Sequence, residues 1–256
     1  MQNNIILALF VGQSIVKLKE VDSTNTYLRN LLSNSKPLLE GTVIMAEHQF
    51  AGRGQSSNVW KSDKGLNLTF SILLKPTFLP VNKQFQLNKV ISLGINDYLT
   101  SIIGEPCKIK WPNDIYYENK KLGGVLIENI SKGYQLKESI IGIGLNINQK
   151  DFGDGLERAT SISEILHQDY ELEKILAHLC WSIERRYLQL KANKWEVLDK
   201  DYSARLFRIN EAHFFNINNT LINGIIKGVT KDGRLSLEIN NELIELDLKE
   251  VKFIFD

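Results

Sequence analysis

The sequence predicts an α+β fold over residues 1–208, followed by a small all-β module over residues 209–256. Three observations carry this. Strand and helix periods interleave in the first part: Leu66, Leu68, Phe70, Ile72 and Leu74 alternate with polar neighbours, whereas Phe85, Leu87, Val90, Ile91, Ile95, Leu99 and Ile102 recur at helical spacing. A second helical face follows at Leu172, Ile175, Leu176, Leu179, Cys180, Ile183, Tyr187 and Leu190, with Glu184, Arg185 and Arg186 expected outward. Near Arg208–Glu211 the pattern changes, and from His213 only short strands remain: 221–229, 235–239, 243–246 and 251–255. The Asp232-Gly233 and Asn240-Asn241 turns between them are hairpin signals. So short a run of strands makes a small barrel that should lean on the larger part, because alone it buries little.

Composition narrows the partners. Thirty-one basic and 30 acidic residues leave a formal charge of +1. That balance points to neither nucleic acid nor an acidic membrane as the main partner. Cys107 and Cys180 are far apart with no CxxC, which argues against a disulfide framework or a thiolate zinc site and suits a reducing cytosol. The opening MQNNIILALFVG lacks a basic n-region and is too short to span a bilayer; it is expected to be a buried first strand.

Taken in order, Ile15–Val21 alternates as a half-buried strand. Asp22, Ser23, Thr24 and Asn25 are capping residue types, and a helix should follow with Tyr27, Leu28, Leu31 and Leu32 on one face. Such a helix start can cap itself and still offer N–H and hydroxyl groups to a polar ligand. Thr42–Ala46 is a buried strand that delivers Glu47–Gln55 to one end of a sheet. There Gly52 and Gly54 are expected at φ > 0 and close to a ligand. Arg53 brings a planar charged fork, and Trp60 a flat face for a heterocycle. The loop therefore suits a nucleotide-like anion beside a stacked ring.

The long helix over 82–103 should only pack. In KIKWPNDIYYENKKLGGVLIEN, residues 108–129, Lys108–Trp111 reads as a strand that Pro112 must end. Asn113 and Asp114 are then left at a strand end. A hairpin turns around Glu118–Lys120, and Leu122–Ile130 is the next buried strand. Gly123 and Gly124 inside it predict a close approach to the backbone, with Lys121 beside them. Asn146 ends the apolar run Ser139–Leu145. It must meet a ligand or a fixed backbone group, because an unpartnered buried amide is costly. Ser161-x-x-Glu164 should open a short helix as a capping box, and Trp195–Phe207 should form another. His48, His167, His178 and His213 form no metal or triad pattern.

Assembled, these residues resemble a biotin protein ligase over nearly the whole chain. The resemblance rests on DSTN (22–25), QxAGRG (49–54), Trp60-x-Ser62, GLNLTFS (65–71), KWPND (110–114), KLGGVLIE (121–128) and GIGLNIN (142–148). KWPND followed by KLGG is the specific part. The resemblance implies a class II synthetase-like domain, a mixed, largely antiparallel sheet with helices on one side, and an SH3-like C-terminal barrel. It implies two steps: biotin and ATP form biotinyl-adenylate, then a lysine of a biotin carboxyl carrier domain takes the biotinyl group. It places Ser23, Thr24, Asn25, Gln49, Arg53, Gly54, Gln55, Lys121, Gly123 and Gly124 at biotin. Arg53, Trp60, Lys110, Asn113, Asp114 and Asn146 fall at ATP, and Mg²⁺ comes with the nucleotide through Asp114. Arg53, Lys121 and Asp114 take the catalytic roles, Asp114 toward the incoming lysine.

Many members of that family follow the Gly-Arg-Gly with a basic run; here Gln55, Ser56, Ser57 and Asn58 stand there. The resemblance implies a loop that folds over the intermediate, and a less basic one should release it faster. Only 21 residues precede Asp22, so no helix-turn-helix and no DNA-binding function is expected. Two alternatives compete. A lipoate ligase or acyltransferase shares the architecture, but the KWPND–KLGG spacing speaks against it. A regulatory protein that holds biotin without transferring it would not need both Arg53 and Lys121. The acceptor and the oligomeric state, monomer or homodimer, are left open.

Overall fold

A computed structural model describes residues 8–34, 37–55 and 58–255. Seven strands build one sheet: β1 (Ile15–Leu18), β2 (Val43–Ala46), β3 (Leu68–Leu74), β4 (Cys107–Lys110), β5 (Asp114–Tyr117), β6 (Lys120–Lys132) and β7 (Gln135–Leu145). Their order is β1-β2-β3-β7-β6-β5-β4. Only β1 and β2 run parallel, so the sheet is mixed and largely antiparallel as expected.

The helices divide between its faces. Phe70, Ile72 and Leu74 of β3 pack with Leu87, Val90 and Ile91 of α2 (Phe85–Ile103) and Leu179 and Ile183 of α4 (Leu172–Lys191) in the main core. Leu73 points the other way and joins Ile44, Ile140 and Leu28 of α1 (Thr24–Asn34) in a second cluster. The helices thus lie on both sides, not one. That explains why every residue of β3 is buried despite its alternating sequence: Thr69 and Ser71 are polar but covered on the α1 face. Ser71 backs Thr24 and Asn25, two residues of the site described below.

Three expectations about the periphery need correction. Residues 1–7 lie outside the described residues, and 8–12 form bends rather than a strand. There the backbone N–H groups of Leu9, Phe10 and Val11 donate to the Glu184 carboxylate at 2.7, 2.7 and 2.9 Å. Glu184 is therefore buried rather than outward, its charge met by three donors. Arg186 is buried too; it binds Asp97 of α2 at 2.6 Å and Asp201 of α5 (Trp195–Ala204) at 2.6 Å. Both charges sit on the helical stripe that faces neighbouring chain, a fact set by packing and not by periodicity.

Ser161 caps α3 (Ile162–Leu166), its Oγ accepting from the Glu164 N–H at 3.1 Å. The C-terminal module is a five-stranded antiparallel sheet in the order β11-β10-β9-β8-β12. Its strands are β8 (Ala212–Ile217), β9 (Thr220–Val229), β10 (Leu235–Ile239), β11 (Glu242–Leu246) and β12 (Val251–Phe253). It leans on the larger sheet through Trp111, whose Nε1 donates to the Gly233 carbonyl at 2.9 Å. Stacking of Phe255 on Tyr116 adds to this contact. Among the described residues no helix is long and apolar enough to cross a membrane.

Candidate functional site

On the α1 face of the sheet lies a cavity of about 610 Å³, within the range of small-molecule sites. At one end its groups are neutral. The Ser23 carbonyl accepts from the Tyr27 N–H at 2.9 Å, so α1 starts there, and Ser23, Thr24 and Asn25 line the cavity. Gln49, brought by the loop after β2, accepts at Oε1 from Thr24 N (2.8 Å) and Thr24 Oγ1 (3.0 Å). Ser71 Oγ lies 2.7 Å from Thr24 Oγ1 and 2.6 Å from Asn25 Oδ1. Asn25 Nδ2 donates to Glu128 Oε2 at 2.8 Å. Neither Ser71 nor Glu128 was singled out from sequence.

The floor is glycine by necessity. A Cβ on Gly142 would sit 2.5 Å from Asn25 Oδ1, and one on Gly144 2.4 Å from the Trp60 ring. The spacing of two along β7 is the signal that could have found them: both point to the same face. The Trp60 Nε1 is buried with no acceptor among the described residues.

The other end is cationic. Lys121 Nζ lies 2.7 Å from Asp114 Oδ1. Lys110 Nζ lies 4.5 Å from the Phe253 ring centre and 5.4 Å from that of Tyr116. Burial lowers the Lys110 pKa; nearby Lys121 and Arg208 push it the same way and Asp114 opposes them. Asn113 is fixed by its amide on the Val125 carbonyl and by Val125 N–H on its own carbonyl. The C-terminal module supplies Lys249, Lys252, Phe253 and Phe255 to the wall, none of which the sequence pattern singled out. Lining the cavity are five basic side chains, Arg53, Lys110, Lys121, Lys249 and Lys252, and one acidic, Asp114. That imbalance suits an anion.

Arg53 shares the cavity but not the position of Lys121. Its Nη2 lies 2.9 Å from Glu128 Oε2. Glu128 is four residues along β6 from Gly124, about 13 Å at ~3.3 Å per residue, and Gly124 is the residue beneath the Lys121–Asp114 pair. Each cation thus rests on its own carboxylate. The loop holding Arg53 is pinned by Gly54 N–H to Asn58 O (2.8 Å) and Trp60 N–H to Gly52 O (3.0 Å). Gly52 and Gly54 are not at positive φ, contrary to expectation. They are glycine for closeness: a Cβ on Gly52 would lie 2.4 Å from the Trp60 carbonyl oxygen. Gln55 and Asn58 line the cavity, while Ser56 and Ser57 lie outside the described residues.

Of the expected site residues, Ser23, Thr24, Asn25, Gln49, Arg53, Gly54, Gln55, Trp60, Lys110, Asn113, Asp114, Lys121 and Gly124 meet at this cavity. Gly123 and Asn146 do not line it. Gly123 lies where a Cβ would strike Leu145 at 2.3 Å. Asn146 donates to the Thr160 carbonyl at 3.0 Å, so the buried amide is met by backbone. Both thiols are buried, with pKa values pushed up to about 12 chiefly by desolvation, so neither is a nucleophile. His48 pairs with Glu20 at 3.0 Å, and His178 stacks on Tyr98. Among the described residues no three His, Cys, Asp or Glu side chains could hold a metal ion.

Residues 18–146 match the Biotin/lipoate A/B protein ligase family. The chain is 30% identical over 233 residues to the bifunctional ligase/repressor BirA of Bacillus subtilis, covering 90% of this chain and 71% of that protein. It is 28% identical over 227 residues to a biotin–[acetyl-CoA-carboxylase] ligase of Paracoccus denitrificans, covering 86% and 92%. Its fold is similar to that of a biotin protein ligase from Aquifex aeolicus in complex with biotin and ATP. That TM-score is 0.80 at 27% identity, covering 95% of this chain and all of the other.

Proposed function

Because the chain belongs to the Biotin/lipoate A/B protein ligase family, we propose that the cavity between α1 and β7 is where it joins biotin to ATP and passes the biotinyl group on. The chain is an ATP-dependent biotin ligase. It forms biotinyl-5′-AMP and transfers the biotinyl group to a lysine of a biotin carboxyl carrier domain. The observation that carries the residue assignment is the polarity of one cavity, neutral at Thr24, Asn25 and Gln49 and cationic at Lys110 and Lys121.

Biotin's ureido ring has donors and an acceptor but no charge, so it belongs at the neutral end. A site built for such bonds rejects an analogue without them by roughly 10⁴ or more, which would exclude lipoate. The acid then extends toward Lys121. In the first step a carboxylate oxygen attacks the α-phosphorus and pyrophosphate leaves. Two anions must meet, a repulsion of about 4 kcal/mol at 4 Å and an effective dielectric of 20. Lys121 and Arg53 offset it, Arg53 after leaving Glu128. Lys110, Lys249 and Lys252 surround the polyphosphate, Asn113 takes part in holding the nucleotide, and Trp60 covers the adenine. In the second step the acceptor amine attacks the anhydride carbonyl and AMP departs. Asp114 orients that amine or takes its proton.

A protein-only Mg²⁺ cage does not fit, since Asp114 is the one acidic residue among the cavity's lining residues. Mg²⁺ carried by the nucleotide does fit, as that ion commonly keeps its waters and uses phosphates with one or two carboxylates; when bound it supplies charge neutralisation. We take 1–208 as the catalytic unit and 209–256 as the module that completes its wall. A homodimer would form by sheet association, through one of the edge strands β1 or β4. Two buried free thiols suit a cytosolic protein.

The test mixes the protein with ATP, Mg²⁺, a carrier domain and either biotin or lipoate, and reads the mass added to one lysine. Addition of biotinyl mass only with biotin is expected. Addition of lipoyl mass instead, or retained adenylate with no labelled carrier, would overturn the assignment.

A further inference from the structure

We propose that Glu128 is a positioning residue that sets the direction of the Asn25 amide and holds Arg53 in a seat away from Lys121. The first half rests on the biotin-ligase reading. Glu128 Oε2 receives Asn25 Nδ2 at 2.8 Å and Arg53 Nη2 at 2.9 Å, while Oε1 receives Arg29 Nη2 at 2.6 Å. An ionised carboxylate only accepts, so Asn25 must turn its NH₂ to Glu128 and its carbonyl to the opposite side. Of that amide's other partners, the Leu126 carbonyl accepts from the same Nδ2 only at 3.4 Å, and Ser71 carries a hydroxyl that can donate or accept and so leaves the direction open. Glu128, charged and at 2.8 Å, is therefore the stronger determinant. The Asn25 oxygen is then presented over Gly142 as an acceptor, the group a ureido N–H needs.

Two arginines, Arg29 and Arg53, meet on the one Glu128 carboxylate. Arg53 lies at the neutral end in this structure, about 13 Å along β6 from the Lys121–Asp114 pair by strand rise. To act on the acid and α-phosphate it must leave Glu128. Its side chain is 43% exposed and that of Arg29 45%, so neither pair is strongly held. Arg29 stays behind, and Glu128, whose side chain is only 18% exposed, is not left without a counter-charge.

Two variants and two measurements separate this from general damage. Glu128→Ala removes the acceptor and the charge; Glu128→Gln keeps an acceptor for Asn25 and loses the charge. In biotin-dependent pyrophosphate exchange, Glu128→Ala should raise the biotin KM by about tenfold or more, with the ATP KM within about twofold. Glu128→Gln should return the biotin KM to within about threefold of wild type. Trypsin cleavage after Arg53 in ligand-free protein should speed up several-fold in both variants. The proposal is overturned if Glu128→Ala leaves the biotin KM unchanged, if Glu128→Gln gives no rescue, or if cleavage after Arg53 is as slow as in wild type. If wild-type protein shows no exchange with biotin, the ligase reading fails instead, and the trypsin comparison still decides the seat of Arg53.

Discussion

Trp60 lies so close to Gly144 that a Cβ there would stand 2.4 Å from the indole ring. No L side chain can share that space, so Gly144→Ala must move Trp60 or the strand. Overpacking of this kind commonly costs 1–3 kcal/mol. The ATP KM should rise on the order of tenfold with the biotin KM little changed. Gly142→Ala, which would strike Asn25 at 2.5 Å, should show the opposite pattern. Steady-state kinetics with each substrate varied checks both.

Lys121 should matter most for the first step. Lys121→Ala removes one of the two charges that let carboxylate and phosphate meet, and leaves Asp114 without its 2.7 Å partner. Pyrophosphate exchange should fall on the order of 10²–10³-fold. Transfer from added biotinyl-adenylate should fall less. Normal exchange by this variant would remove Lys121 from the mechanism.

Lys110 sets binding against stability. Burial holds its pKa below the ordinary lysine value of 10.5. The folded chain releases this proton at lower pH than the unfolded chain does. Between the two pKa values the unfolded state holds more protons, so this lysine's contribution to stability rises with pH until 10.5 is passed. Lys110→Met should therefore be at least as stable as wild type at neutral pH, with the difference shrinking as pH climbs toward that value. Its ATP KM should rise about tenfold. Denaturant titrations at several pH values, with kinetics at one, provide the check.

Arg186→Met should lower stability without touching chemistry. It leaves Asp201 only a 3.9 Å contact with Arg205 and removes two bonds from Asp97, which keeps Arg205 at 2.9 Å. Breaking such a pair typically costs 3–5 kcal/mol; about 2–3 kcal/mol is expected here because Arg205 remains. Urea unfolding should show it, with the KM for ATP and for biotin unchanged.

A basic residue restored to the loop should slow loss of the intermediate. Asn58 lines the cavity, and Asn58→Arg would add a charged donor for the adenylate phosphate. Release of biotinyl-adenylate, followed by rapid filtration, should slow several-fold. Unchanged release would mean that the neutral loop is not the cause of any leak.

The sequence by itself determined the elements and most of the site. Strand alternation at Leu68–Leu74 and helical spacing in Phe85–Ile103 are local patterns, and so is the short-strand run that ends the chain. The Gly-Arg-Gly, Lys-Trp-Pro-Asn-Asp and Lys-Leu-Gly-Gly stretches carried enough chemistry to predict the cavity they line. Partner choice was not legible, because it depends on residues far away in sequence. Arg53 meets Glu128 across 75 positions and Ser71 meets Asn25 across 46. Charges on α4 looked solvated until Leu9–Val11 and Asp97 folded against them. Asn146, equally polar and equally buried, found a carbonyl instead of a ligand. A one-dimensional pattern says which side chains need a partner; only the packed chain decides which groups come within about 3 Å of them.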